Sequence, residues 1–118
     1  MSGNIEGVHL KDLPPFTTLL VRTVNSLYRV VVIQGTEVCV QGGSFFPDPT
    51  SACLDGASIG GSSIRVGWIG IDLLVEIRAR GRRIITSPVR AITVERASLS
   101  VVQACCAARH ADRALPGE

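Results

Sequence analysis

Between Ile71 and Arg78 the chain alternates, with Ile71, Leu73, Val75 and Ile77 on one side and Asp72, Leu74, Glu76 and Arg78 on the other. A period of two places successive side chains on opposite faces of a strand, whereas a helix would scatter the same apolar residues around its axis. The stretch therefore predicts a strand with one apolar and one mostly charged face. Just before it, Ile64, Val66 and Trp68 alternate with Arg65, Gly67 and Ile69 in the same way. Arg80-Gly81-Arg82 predicts a turn, and Arg83 to Thr86 a return strand. Ser87-Pro88 interrupts that strand, because proline has no N–H to give to a ladder. Val89 to Glu95 predicts the last strand.

Upstream, two β-forming runs, Phe16 to Val24 and Leu27 to Ile33, flank Asn25-Ser26. Asparagine tolerates the left-handed conformation that tight hairpin turns demand, so the pair predicts a first hairpin. Gln34-Gly35-Thr36-Glu37 predicts a second turn and Val38 to Gln41 a short third strand. Residues 1–15 end in Pro14-Pro15 and are expected to be an extended entry. Residues 42–63 break the rhythm with Gly42-Gly43, Phe45-Phe46, Pro47-Asp48-Pro49 and Gly60-Gly61, and predict a long loop. Loops of that length in small domains are usually functional; the plain structural alternative is a crossover pinned by Phe45 and Phe46. From Ser98 to Ala114, Leu99, Val102 and Cys106 recur at helical spacing, which predicts a short helix with Ser98 as its N-cap.

The expected fold is thus all-β. A small antiparallel β-barrel of six or seven strands occupies residues 16–95, preceded by an extended segment over 1–15 and followed by a short C-terminal helix and frayed tail over 96–118. A length of 118 residues fits one domain, and 46% apolar residues with a net charge of +2 fit a globular chain. No apolar run approaches the roughly 18 residues that span a bilayer, so no membrane partner is expected. The first residues carry no basic patch followed by an apolar stretch, and a cytoplasmic location is expected. Cysteines stand at positions 39, 53, 105 and 106 without a C-x-x-C pair. Neither a disulfide framework nor a metal site is therefore expected. Cys39, between Val38 and Val40, reads as a small core residue.

Catalytic chemistry finds little support. His9 and His110 fall outside the rigid elements, and Asp72 and Glu76 would stand about 13 Å apart along a strand, too far for a carboxylate dyad. A small hydrolase is the weakest reading, and no cofactor is expected. No glycine-rich turn links a strand to a helix in the manner of a phosphate-binding loop. Backbone amides around Gly60 and Gly61 can form only a simple anion nest.

Charge is more informative. Eleven of the twelve basic residues are arginine, and guanidinium forks match phosphate and carboxylate in two-pronged fashion. A base composition rich in arginine codons gives the same excess. Arg78, Arg80, Arg82 and Arg83 crowd one expected hairpin tip, which is either a grip for phosphates or a solvated end partly offset by Glu76. Among the aromatics, Tyr28 and Trp68 read as core. Phe45 and Phe46 cannot both point inward from an extended chain, so one is a candidate exposed contact.

The pattern Thr23-x-Asn25-Ser26-x-Tyr28, Gly42-Gly43 and Thr86-Ser87-x-Val89 resembles a group of small bacterial β-barrel proteins without an assigned function. That resemblance spans roughly residues 17–95, implies an all-β domain, and brings no activity, cofactor or catalytic residue. Separately, Ser58-Ile59-Gly60-Gly61 is similar to the S-x-x-G portion of the motif by which PilZ barrels bind cyclic di-GMP. Asp55 stands three residues before Ser58 where that motif has two, and no R-x-x-x-R precedes it.

These features point to a non-enzymatic binding or regulatory module acting on a protein partner or a second copy of itself. Nucleic acid or a cyclic dinucleotide is the alternative ligand. The candidate residues are Arg78, Arg80, Arg82, Arg83, Phe45, Phe46, Ser58, Gly60 and Gly61.

Overall fold

The computed structural model describes residues 3–59 and 63–95. In chain order its strands are β1 (Gly3–Ile5), β2 (Gly7–His9), β3 (Thr18–Thr23), β4 (Leu27–Gln34), β5 (Glu37–Gly42) and β6 (Phe46–Ser58). Then come β7 (Ile64–Val66), β8 (Trp68–Gly70), β9 (Leu74–Ala79), β10 (Arg82–Ile85) and β11 (Val89–Glu95). A 3-10 turn, Leu10–Asp12, follows β2 and inserts Leu10 into the core at 1% exposure. Every ladder is antiparallel. The main sheet runs β1-β11-β3-β4-β5-β6-β9-β10, with β7 beside the end of β6, while β2 and β8 form a separate ribbon.

The barrel expected from the sequence is not closed, since this path ends at β1 and β10. The sheet curls instead, and one kinked segment joins its two sides. Pro88 cannot donate, so β10 stops short of it and the chain changes neighbours. Thr86 N–H still donates to Val75 O at 3.0 Å, and Thr86 Oγ1 accepts from Val75 N–H at 3.0 Å. Asp72 N–H then donates to Val89 O at 2.8 Å, and Val89 N–H to Leu73 O at 2.9 Å. Val89 itself already pairs with Thr23 of β3.

Part of the sequence pattern, Thr23, Asn25, Ser26, Ser87 and Val89, gathers around this seam. The Thr23 hydroxyl accepts from Ser26 N–H at 3.0 Å, which fixes the β3–β4 turn. Asn25 N–H donates to Ser87 Oγ at 3.2 Å and Val24 N–H to Pro88 O at 3.0 Å, fastening the turn to the kink. Tyr28 pairs with Gly42, and a side chain at Gly42 would strike the Leu27 carbonyl. Each of these positions has a packing or hydrogen-bonding duty.

Inward residues of every major strand meet in one core, including Leu19, Val30, Val40, Leu54, Ile77 and Ile92, each at 2% exposure or less. Burying a side chain of this size is worth about 1.5–3 kcal/mol. On the opposite face Val31 and Cys39, directly paired, form a second small cluster. Cys39 is buried as expected but is held in a disulfide, which its setting between valines did not foretell.

The strand expected over Ile71 to Arg78 begins only at Leu74, because the chain turns at Asp72 with φ of +68°, and the sequence reading is overturned at two further points. Residues 46–58, expected as loop, form the longest strand. Pro47 and Pro49 fit there because they fall in a register irregularity: Val40 pairs with Thr50 and Gly42 with Phe46, leaving residues 47–49 opposite Gln41 alone. The second departure is at Gly67. On both sides of this turn, at φ +68°, the expected faces are reversed: Ile69 is buried while Val66 is 68% exposed and Trp68 only half-buried. A one-residue slip exchanges the two faces of a strand. The expected C-terminal helix lies outside the described residues. Among those described, no helix is long and apolar enough to cross a membrane.

Candidate functional site

β9 and β10 are joined by Arg80 and Gly81, with φ of +53° and +76°. Two positive φ values in a two-residue connection make the turn whose twist matches the flanking strands. Glycine adopts this conformation freely, but for arginine the left-handed region costs about 1–2 kcal/mol.

Strand alternation divides the four arginines of this hairpin. Arg78 and Arg83 stand directly opposite each other on the outer face. Two like charges there repel, and each has its own carboxylate. Arg78 Nε donates to Asp55 Oδ2 at 2.8 Å, and Arg83 Nε donates to Glu76 Oε1 at 3.0 Å. Glu76 is only 2% exposed, under the Arg83 side chain. The hydrogen bond from Arg83, then one from the Ser58 hydroxyl, hold its carboxyl below the ordinary value against the opposing effect of burial.

Arg80 and Arg82 are differently placed. Neither forms an ion pair with any described residue. Arg82 pairs with Ala79 in register, and so shares the core-side face with Ile84 at the mouth of the curled sheet. There both arginines line an open depression of about 190 Å³. Phe45, Pro47 and Asp48 line it from the start of β6. Phe45 is 57% exposed, whereas Phe46 is buried and meets Tyr28 edge-on at 6.5 Å. The structure thus brings Phe45 to Arg80 and Arg82, while Arg78 and Arg83 belong to the outer face.

Of the remaining sequence candidates, Ser58 is buried and donates to Glu76. Gly60 and Gly61 lie outside the described residues, as do His110, Cys105 and Cys106. Trp68, read from spacing as core, carries the Arg65 guanidinium 3.9 Å from its ring centroid and meets the His9 ring edge-on at 4.9 Å. Among the described residues no group of three acidic, histidine or cysteine side chains is placed to hold a metal ion. Sequence reasoning missed Asp55 as the partner of Arg78. The two are 23 positions apart, and only the β6–β9 register brings them together.

No known protein family, characterised protein or solved structure matches this chain.

Proposed function

We propose that the chain is a non-enzymatic binding module whose working surface is the depression at the β9–β10 turn, and that it takes an acidic segment of a partner protein. The observation that carries this reading is the juxtaposition of an exposed phenylalanine with two arginines that have no ion-pair partner among the described residues. Guanidinium groups without an ion-pair partner among the described residues supply directional recognition of carboxylates, and the ring supplies apolar contact area beside them.

Nucleic acid is a second reading, favoured by the same ring, since an exposed aromatic beside cations can stack a base while the cations hold flanking phosphates. Its weakness is the charge count. Arg78 and Arg83 are already neutralised by Asp55 and Glu76, and the two arginines of the hairpin left unpaired among the described residues release few counterions. A cyclic dinucleotide would require the Ser58 hydroxyl at the surface, whereas that hydroxyl faces Glu76.

The test is fluorescence anisotropy with two probes, a glutamate-rich peptide and a single-stranded oligonucleotide, each titrated across a range of salt. The expected result is peptide binding that weakens about tenfold or more in the R80E/R82E variant and measurably in F45A. An oligonucleotide that binds more tightly than the peptide, with the same mutational sensitivity, would transfer the surface to nucleic acid. Binding of neither probe overturns the proposal.

A further inference from the structure

Resting on that reading of the surface, we infer that β10 is the docking edge itself: the acidic segment adds to it as one more antiparallel strand, presenting two aliphatic residues followed by two acidic ones.

β10 is the last strand of the main path, and among the described residues its only ladder partner is β9. The bond from Thr86 N–H to Val75 O sets which backbone groups are already used. In an antiparallel ladder bonding alternates residue by residue, so Ile84 and Arg82 bond inward to β9. The N–H and C=O groups of Arg83 and Ile85 then point to the open side. An open edge with alternate groups free is what an extended peptide recruits in strand addition.

The side chains of β10 define what such a peptide must carry. The strand reads Arg82, Arg83, Ile84, Ile85, and Ile85 is 49% exposed. Directly opposite residues on paired strands interact most, with opposite charges and apolar pairs favoured. An acidic residue therefore belongs opposite Arg82, and a second opposite Arg83, whose guanidinium is paired with Glu76 yet 62% exposed with N–H groups to spare; aliphatic ones belong opposite Ile84 and Ile85. Read along an antiparallel partner, the aliphatic pair comes first. Arg80 then stands just past the acidic end of the added strand.

The same charges argue against a second copy as the occupant. Pairing β10 antiparallel with β10 of another molecule through the free groups of Arg83 and Ile85 would set each Arg83 opposite an Ile85, a charge against an aliphatic side chain, with no acidic residue on either strand to meet it. Charged edges are a common guard against self-pairing. A guard alone, however, gives no account of an exposed isoleucine at the end of the same short edge.

The test uses the full chain and a labelled, capped peptide in which threonines flank two β-branched aliphatic residues followed by two glutamates. Three controls accompany it: the reversed order, a peptide of equal length and charge with the aliphatic pair replaced by threonines, and a copy N-methylated on the amides that would face β10. The expected result is binding that drops about tenfold or more on N-methylation, on reversal, and in the exposed-site variant R82E. Amides of Arg83 and Ile85 should gain hydrogen-exchange protection in the complex. Equal binding of the methylated, reversed and threonine-substituted peptides, still sensitive to R80E/R82E, would overturn strand addition while leaving an acidic-segment module intact. Failure of every peptide overturns both.

Discussion

Arg83 of β10 covers Glu76 of β9, giving the nearly buried carboxylate a guanidinium donor at 3.0 Å from Nε while most of the arginine stays in solvent. Ser58 supplies a second donor from β6. Three strands are thereby tied together on the outer face, just behind the hairpin that carries Arg80 and Arg82.

Glu76 should make stability depend on pH. Its folded-state carboxyl titrates below the ordinary value, chiefly through Arg83 and then Ser58. A depressed folded value stabilises the protein above the unfolded carboxylate range, and that contribution is lost as pH falls through the folded value. Urea midpoints measured from neutral to acidic pH should fall in the native chain and fall less steeply in Glu76→Gln. In Glu76→Ala the buried Ser58 hydroxyl loses its acceptor, at a cost of about 1–3 kcal/mol at neutral pH.

The two adjacent phenylalanines should separate stability from binding. Phe46→Ala leaves a cavity beside Tyr28 and should cost about 3–5 kcal/mol in denaturant unfolding. Phe45→Ala removes an exposed ring and should change stability by no more than about 0.5 kcal/mol, while weakening the acidic peptide. Equal destabilisation by the two would contradict the burial assigned to them.

Arg80→Asn should make the protein more stable and a poorer binder. Asparagine tolerates the left-handed region better than arginine, so a gain of about 1 kcal/mol is expected in thermal or urea unfolding. Loss of the cation should reduce peptide affinity in the same variant. Strain kept at a position where a cheaper residue would serve the turn is characteristic of binding sites.

Two glycines in left-handed space should respond unequally to alanine. Gly81, at φ +76°, faces open space, so Gly81→Ala should cost about 1–2 kcal/mol from backbone strain alone. Gly56, at φ +150°, lies where an added Cβ would strike the Arg65 carbonyl of β7. Gly56→Ala should cost more than Gly81→Ala and should loosen the β6–β7 pairing, visible as faster amide exchange over residues 64–66.

Much of the sheet was legible in the sequence, because alternation directly encodes which side faces the core. Val75 and Ile77 point inward and Glu76 and Arg78 outward, as their spacing requires. The Arg80-Gly81 turn was also legible from turn chemistry; the hairpin at Asn25-Ser26 is present, but Asn25 is not in the left-handed region expected of it and the Thr23 hydroxyl fixes the turn instead. β6 was not, since Pro47, Pro49 and Gly56 each signal a break. Their tolerance depends on a ladder irregularity created by distant β5 and on the close approach of β7. Trp68 was misplaced because alternation gives the two faces of the stretch but not which of them meets the core: Val66 is exposed and Ile69 buried. At the site, the crowding of arginines was visible, but not its division. Which of them are neutralised depends on Asp55 and Glu76 sharing a face with Arg78 and Arg83, and that is a property of register.

The break at Ser87-Pro88 has a mechanical consequence. A single stretch of backbone finishes one ladder beside β9 and begins another beside β3, so it acts as the clasp of the curled sheet. Cutting the chain between those two residues would leave both ladders with their own partners while removing the covalent tether between them. A permuted protein opened there would show how much of the curvature resides in the ladders and how much in the clasp.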